Sequence, residues 1–514
     1  MLSFLTIPKG AVPRVQKPAC VQERWHKATV FFLLVTTVLR LALCGLYGLK
    51  VEESYYWNYA QHPDLGYFDH PPMVAWLIGL SCRLGGNHPF FVRLPAVLLF
   101  AGTSYFLYRL VKSMFNTYVG FITVVILQVI PAFWMHSVVI LPDSPLLFFW
   151  TLGLYAGWKL VSSENPNWWW AMGVITGLGL DSKYPALLIP LGVFLFCFTR
   201  RSRRLWLCPQ MFGAACLAIA LFSPVLLWNV QHDFASFRFQ GLQRFQEAVS
   251  TRERIGSWIF QLALLSPFVF FLLYFSVFWG WQRRADERFF YLLMWCIPFL
   301  SLMAVVSCVR LVQLNWPLPG YVSAAALMAL AYASETRPWR RRLLIGLVGG
   351  LGLFMEVAIY AGLILPLPAF NRVDDLDQWD AFGQHALQIV AAMPHPQRTF
   401  LAGHGYQAAS ELALTTGMPH LVSSNNVLGQ QALSFDAWED PAQWRGWDCL
   451  YCNYAQITSS GAWRERVKLD VQALREHFSK VDEPVKVEIE RGGKPLRLYL
   501  YYRCYDYRGP VVKP

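Results

Sequence analysis

Two adjacent carboxylates followed by a run of aromatic residues are the most chemically loaded stretch of this chain. Glu52-Glu53-Ser54-Tyr55-Tyr56-Trp57 lies just beyond the first long apolar run, and Gly66-Tyr67-Phe68-Asp69-His70-Pro71-Pro72 follows closely. Paired acids at the edge of an apolar run are partly desolvated and repel one another, which raises at least one pKa toward the range of a general base. Tyr55, Tyr56 and Trp57 read either as a wall on which a sugar stacks or as an interfacial aromatic belt flanked by solvated acids. A further acid, Asp143 in Leu141-Pro142-Asp143-Ser144-Pro145, opens a later apolar run, where capping a helix is its ordinary role. If it shares a face with Glu52, two or three acids around one cleft could position an acceptor hydroxyl, remove its proton or hold a divalent cation.

Cations accompany these acids. Lys183, in Gly179-Leu180-Asp181-Ser182-Lys183-Tyr184-Pro185, falls in a very short turn between two apolar runs. It reads as the partner of an anion such as a lipid phosphate, or as a local pair with Asp181, or as a snorkelling side chain. After Asn229 comes a longer loop with His232, Asp233, Arg238, Arg244, Arg252 and Arg254, a basic cluster for which phosphate binding is a sufficient reason.

The elements that must position these groups follow from composition. The 514 residues are 55% hydrophobic, 16% aromatic and only 15% charged, with mean hydropathy +0.34. A soluble globule of this size needs more polar surface, so the chain belongs in lipid. A net charge of +12 would suggest nucleic acid in a soluble protein, but here Lys and Arg cluster between apolar runs as membrane anchors do. Most of the 11 cysteines lie singly in apolar runs. Cys449 and Cys452 form a lone C-x-x-C, for which a disulfide or plain packing is expected rather than a metal. No metal-ligand spacing is present, and residues before Lys27 lack the pattern of a cleavable signal, so the first run reads as a retained span.

Apolar runs occupy about 29–49, 90–111, 118–133, 145–161, 168–180, 184–198, 211–230, 258–281, 289–306, 316–333 and 343–365, which gives about eleven spans. Basic clusters stand at Lys9, Arg14, Lys17, Arg24 and Lys27, at Arg200, Arg201, Arg203 and Arg204, at Arg283, Arg284 and Arg288, and at Arg337, Arg340, Arg341 and Arg342. With eleven spans, an even number of them separates each cluster from the next, so all four fall on one face, the cytoplasmic one. The loops at about 50–89, 134–144, 181–183, 231–257 and 307–315 then share the outer face and hold nearly all the distinctive polar residues. The expected architecture is a polytopic α-helical membrane protein with three parts. These are a cytoplasmic arm at 1–28, a membrane domain at 29–365 with large outer loops 50–89 and 231–257, and a periplasmic soluble α/β domain at 366–514. In the last, 399–403, 485–489 and 496–502 read as strands and 406–414 as a helix. Gly403-His404-Gly405 reads as an ordinary tight turn in preference to a phosphate site.

The runs Glu-Glu-Ser-Tyr-Tyr-Trp with Gly-Tyr-Phe-Asp-His-Pro-Pro, Leu-Pro-Asp-Ser-Pro-Leu, Ser-Lys-Tyr, Trp-Asn-Val-Gln-His-Asp-Phe-Ala-Ser-Phe and Asn315-Trp316-Pro317 occur in this order. Over about 29–333 the chain thereby resembles the bacterial protein O-mannosyltransferase-like glycosyltransferases, family 39 of the GT-C superfamily, and more distantly the lipid A aminoarabinose transferases. The resemblance implies a GT-C fold, a polyprenyl-phosphate sugar donor, and inverting transfer on the outer face of a bacterial inner membrane. The acceptor would be lipid A, another glycolipid, a polysaccharide or a protein. Relatives carry an acidic pair in the first outer loop, commonly Asp-Glu, with the first member catalytic. Here Glu52 holds that place, one methylene longer, and Glu53 is its alternate. By the same likeness Asp143 supports acceptor or base, Lys183 binds the donor phosphate, and Tyr184, Asn229, His232, Arg244 and Asn315 join Tyr55, Tyr56, Asp69 and His70 in binding substrate. The donor's phosphate bond already activates the sugar, so no nucleotide is required, in keeping with a sequence without a P-loop. A transporter or lipid flippase is the rival reading; against it, the acids gather in outer loops rather than mid-membrane and the two halves show no repeat.

Overall fold

The structure, a computed structural model, describes residues 18–201, 203–243, 249–365, 379–457, 463–491 and 494–510. Arg244, Lys9, Arg14 and Lys17 lie outside these residues. Helices Ala19–Leu43, Pro89–Met114, Arg203–Gln231, Glu287–Val309 and Pro338–Gly362 are long and apolar enough to cross a membrane, and a bent pair makes a sixth if it counts as one span. Met73–Gly85, Thr117–Val129, Tyr184–Arg200 and Leu318–Ser334 are shorter apolar helices. Phe31, Phe198, Phe212, Phe271 and Phe354 are all exposed, a surface that water does not tolerate and acyl chains do.

The chain divides into two compact units, Met1–Cys44 with His70–Val74 and Arg93–Ala358, and Gly45–Asp69 with Ala75–Val92 and Ile359–Pro514. In the first, helices approach closely through small residues, as they must where burial of apolar surface gains little against lipid. A Cβ on Gly192 would meet the Trp295 ring at 2.7 Å. In Leu318–Ser334, Ala324, Ala325, Ala326 and Ala329 are fully buried. Trp150 stands edge-on to Trp295, with centroids 5.6 Å apart, in the core that results.

Three sequence expectations are corrected. The first span runs Ala19–Leu43, earlier than 29–49: its helix takes in Glu23, Arg24, Lys27 and Arg40 without a break, Lys27 lying 3.4 Å from Glu23. Arg40 buries its guanidinium with Nε donating to Ser137 Oγ at 2.6 Å. The loop at 50–89 contains two helices, Val51–Gln61 and Met73–Gly85. The run at 258–281 is broken, with Thr251–Leu262 and Pro267–Trp281 meeting at 89°. Proline disfavours helical geometry in the residue before it, and Ser266 sits at φ 66°.

In the second unit, β1 (Thr399–Gly403), β2 (Val422–Ser423), β3 (Asp448–Gln456), β4 (Phe478–Val481), β5 (Val485–Arg491) and β6 (Lys494–Tyr507) form one sheet in the order β2-β1-β3-β6-β4, with β5 also paired to β6. β1 is parallel to β2 and β3, and β6 is antiparallel to β3, β4 and β5. Alternation along β6 sorts its side chains to two faces. Leu500 and Tyr502 join the core of Phe400, Tyr451 and Leu474, while Tyr499 and Tyr501 pack on Phe382 of the helix Trp379–Ala391. β3 is absent from the sequence reading, and it carries the C-x-x-C. Residues three apart on a strand point to opposite faces, so Cys449 and Cys452 cannot bond to each other; both are buried free thiols. Of the two readings of this pair, disulfide or plain packing, the structure has packing. Gly403-His404-Gly405 is an ordinary turn, with Gly405 at φ 72° and its N–H donating to Asn425 Oδ1 at 2.9 Å.

Candidate functional site

The acidic pair begins the helix Val51–Gln61 of the second unit. An acid in a first helical turn meets free N–H groups, and Glu53 takes this role: its Oε2 accepts from the Lys50 N–H at 2.9 Å, and the side chain is wholly buried. Glu52, one position earlier, is only half-buried and its Oε1 accepts from the Tyr406 hydroxyl at 2.7 Å. The two neighbours therefore have different work, one holding the backbone and the other presenting a carboxylate held by a phenol. Ser54 Oγ donates to the buried Glu411 at 2.9 Å, a second tie between this helix and Gly405–Thr416.

Tyr55, Tyr56 and Trp57 are buried, neither an exposed wall nor a belt. Tyr55 packs on Tyr406, Phe435 and Trp438 and donates to Asp69 Oδ1 at 3.0 Å. Tyr59 donates to the same oxygen, and Ser434 Oγ lies 3.3 Å from it. Asp69 is thus a buried carboxylate satisfied by hydroxyls. Burial together with its charge raises both phenol pKa values, Tyr55 and Tyr59, well above the ordinary value.

The first unit holds the other half of the candidate residues. Asp143 is the first residue of the helix Asp143–Ser163, and its carboxylate is not spent on a cap. Lys183 Nζ donates to both of its oxygens, each at 2.9 Å, and Asn315 Nδ2 donates to Oδ2 at 2.6 Å. The side chains of Asp143 and Lys183 are 3% and 11% exposed. Lys183 therefore pairs neither with Asp181 nor with the surface, and Asn315-Trp316-Pro317 supplies the third member from 172 residues beyond Asp143. His136, unforeseen as a site residue, is buried nearby with Nδ1 2.8 Å from the Ala132 carbonyl. Burial lowers its pKa, against the opposing pull of Asp143.

Asp181 is left without the cation that its sequence position suggested. Its Oδ1 is buried without a hydrogen-bond partner, and burial raises its pKa to about 7. The unfolded value is about 4, so between about pH 4 and 7 the folded chain holds the proton that the unfolded chain has lost; stability declines as pH rises through this window and stays low above it. Asp181→Asn should accordingly raise the melting temperature of detergent-solubilised protein more at pH 8 than at pH 4. An equal shift at both values would contradict the assignment.

His70 is buried in the first unit, where Met73 N–H, three residues on, donates to the Asp181 carbonyl at 2.9 Å. Tyr184 shares a 2.6 Å hydrogen bond with Ser236. Asn229 spends its side chain on backbone, donating to Val225 O at 2.9 Å and accepting from Phe237 N–H at 3.2 Å. It thereby holds the bend where Asp233 and Phe234 have positive φ. His232 stacks on Trp228 with centroids 4.1 Å apart. Tyr406 and Glu411, which bind the acidic helix, carried no sequence signal. His136, a lone histidine between two apolar runs, carried a faint one.

Comparison with known proteins shows what this arrangement resembles. Residues 69–228, which include Asp69, His70, Asp143 and Lys183, match the dolichyl-phosphate-mannose-protein mannosyltransferase family. The lipid A galacturonosyltransferase RgtD of Rhizobium johnstonii is 26% identical over 321 residues, 62% of this chain and 67% of that protein. ArnT from Cupriavidus metallidurans in the apo state superposes with a TM-score of 0.61 at 13% identity, covering 94% of this chain and 98% of that one. The same protein bound to undecaprenyl phosphate gives 0.57 at 14% identity, covering 93% and 98%. Part of the chain thus resembles membrane glycosyltransferases in sequence, and nearly all of it shares the fold of ArnT.

Proposed function

We propose that this chain moves a sugar from a polyprenyl-phosphate donor to a hydroxyl of a lipid A-type glycolipid, on the outer face of a bacterial inner membrane. The observation that carries the reading is the ArnT fold over nearly the whole chain, in a neighbour solved with undecaprenyl phosphate. The acceptor class rests on the relative that acts on lipid A. Glu52 takes the proton of the acceptor hydroxyl as its oxygen attacks the anomeric carbon; the bond from that carbon to phosphate breaks, and polyprenyl phosphate leaves with its electrons. Lys183, held by Asp143 and Asn315, supplies positive charge for the departing phosphate. About eleven spans keep the four basic clusters in the cytoplasm and the domain after residue 365 outside. These likenesses favour transfer over transport.

The test is transfer from a panel of radiolabelled polyprenyl-phosphate sugars, offered to the outside of sealed right-side-out vesicles, into lipid, polysaccharide and protein fractions. Label in the lipid A fraction without permeabilisation is the expected result. Label only in protein or polysaccharide would replace the acceptor, and transfer only after permeabilisation would reverse the orientation. Translocation of lipid without transfer would overturn the reading.

A further inference from the structure

Apart from the acids above, three donors of the kind that ligate metals converge in the second unit. His62 follows the helix Val51–Gln61, His420 lies in the short turn Pro419–Leu421, and Glu439 follows the turn Phe435–Trp438. Their ligand atoms all lie within 4.8 Å of one another. Both His62 Nε2 and His420 Nδ1 are 3.9 Å from Glu439 Oε1. That is too long for hydrogen bonds. It is little more than the roughly 3.3 Å between donors that bonds of about 2.0–2.1 Å around a tetrahedral zinc impose.

The surroundings hold these donors in the state a metal requires. His62 Nδ1 lies 3.0 Å from the Asn58 carbonyl, which only accepts, so Nδ1 carries the proton and Nε2 keeps its lone pair. That Nε2 is buried with no hydrogen-bond partner. Trp438 stacks on the ring at 4.6 Å and 9°, fixing its plane. Glu439 Oε2 accepts from Gln443 Nε2 at 2.7 Å, leaving Oε1 toward the imidazoles.

We propose that His62, His420 and Glu439 form a binding site for a zinc-class dication, with a fourth position open to water beside the exposed His420. Two imidazoles and one carboxylate select a borderline transition metal over magnesium or calcium. The ion would clip the end of the helix Val51–Gln61, which carries Glu52 in its first turn, to two segments of the sheet-bearing domain. Metal binding at this place does not depend on the transfer reading.

The experiment uses the full chain in detergent, freed of any histidine tag, stripped with chelator, loaded with zinc chloride and desalted before metal is counted by mass spectrometry. Wild type should retain about one zinc per chain and melt at a higher temperature with zinc. His62→Ala, His420→Ala and Glu439→Gln should each lower retained zinc by about tenfold or more and lose the thermal shift. His420 is exposed, so its replacement leaves the core intact. His395→Ala, at a surface histidine 3.0 Å from Asp448, should retain zinc like wild type. Wild type without zinc, or His420→Ala retaining as much as wild type, would overturn the site.

Discussion

Glu52→Gln should lower sugar transfer by about 10²- to 10⁴-fold at unchanged expression, the usual loss when a general base is removed. The substitution keeps shape and keeps an oxygen able to accept from Tyr406, which now lies 2.7 Å away. The helix Val51–Gln61 is therefore undisturbed and only proton affinity is lost. Glu53→Gln is the informative companion. Its carboxylate caps the Lys50 N–H and is fully buried, so its replacement should cost about 1 kcal/mol of stability and spare most of the transfer rate. Radiolabel transfer at matched membrane levels measures both. If Glu53→Gln is the dead variant while Glu52→Gln still turns over, the base is Glu53 and the family's first-acid assignment does not hold in this chain.

Asp143→Ala should destabilise the chain by about 3–5 kcal/mol, because it strands an almost buried ammonium. Lys183 has 11% of its side chain exposed and both Asp143 oxygens on its Nζ. Lys183→Met should be milder for stability, since Asp143 keeps the amide of Asn315, but it should impair use of the polyprenyl-phosphate donor. The double variant Asp143→Ala/Lys183→Met removes both charges and should regain much of the lost stability without regaining transfer. Thermal unfolding in detergent and donor dependence of the rate read the two effects separately. A stable Asp143→Ala protein would mean that Lys183 has another anion in reach, and the charge-holding role of Asp143 would fail.

What could be read from the sequence was what local pattern encodes. β1 at Thr399–Gly403 and the helix after it follow from an apolar run, a glycine turn and a helical period. The acids at Glu52 and Asp143 stand out by type against apolar neighbours. The broken span was legible in principle from Ser266-Pro267, but its hydropathy is continuous and hides the bend. β3 escaped because Asp448-Cys449-Leu450-Tyr451-Cys452-Asn453 is buried on both faces and shows no alternation. The contacts of Asp143 with Lys183 and Asn315, of Glu52 with Tyr406 and of His62 with Glu439 join residues far apart in the chain. Each partner looks ordinary alone, and only the fold gives it a meaning.

The helix Val51–Gln61 is encoded between membrane segments yet is packed as part of the sheet-bearing unit, with Tyr55 and Tyr59 covered by Ser434 and Trp438. This bears on heredity and on engineering alike. A chimaera that exchanges only the C-terminal half between two relatives would pair one parent's acidic helix with the other parent's cover, leaving buried phenols against a surface not shaped for them. The unit that must travel together is split in the gene, and a working exchange has to carry residues 45–69 with the distal domain.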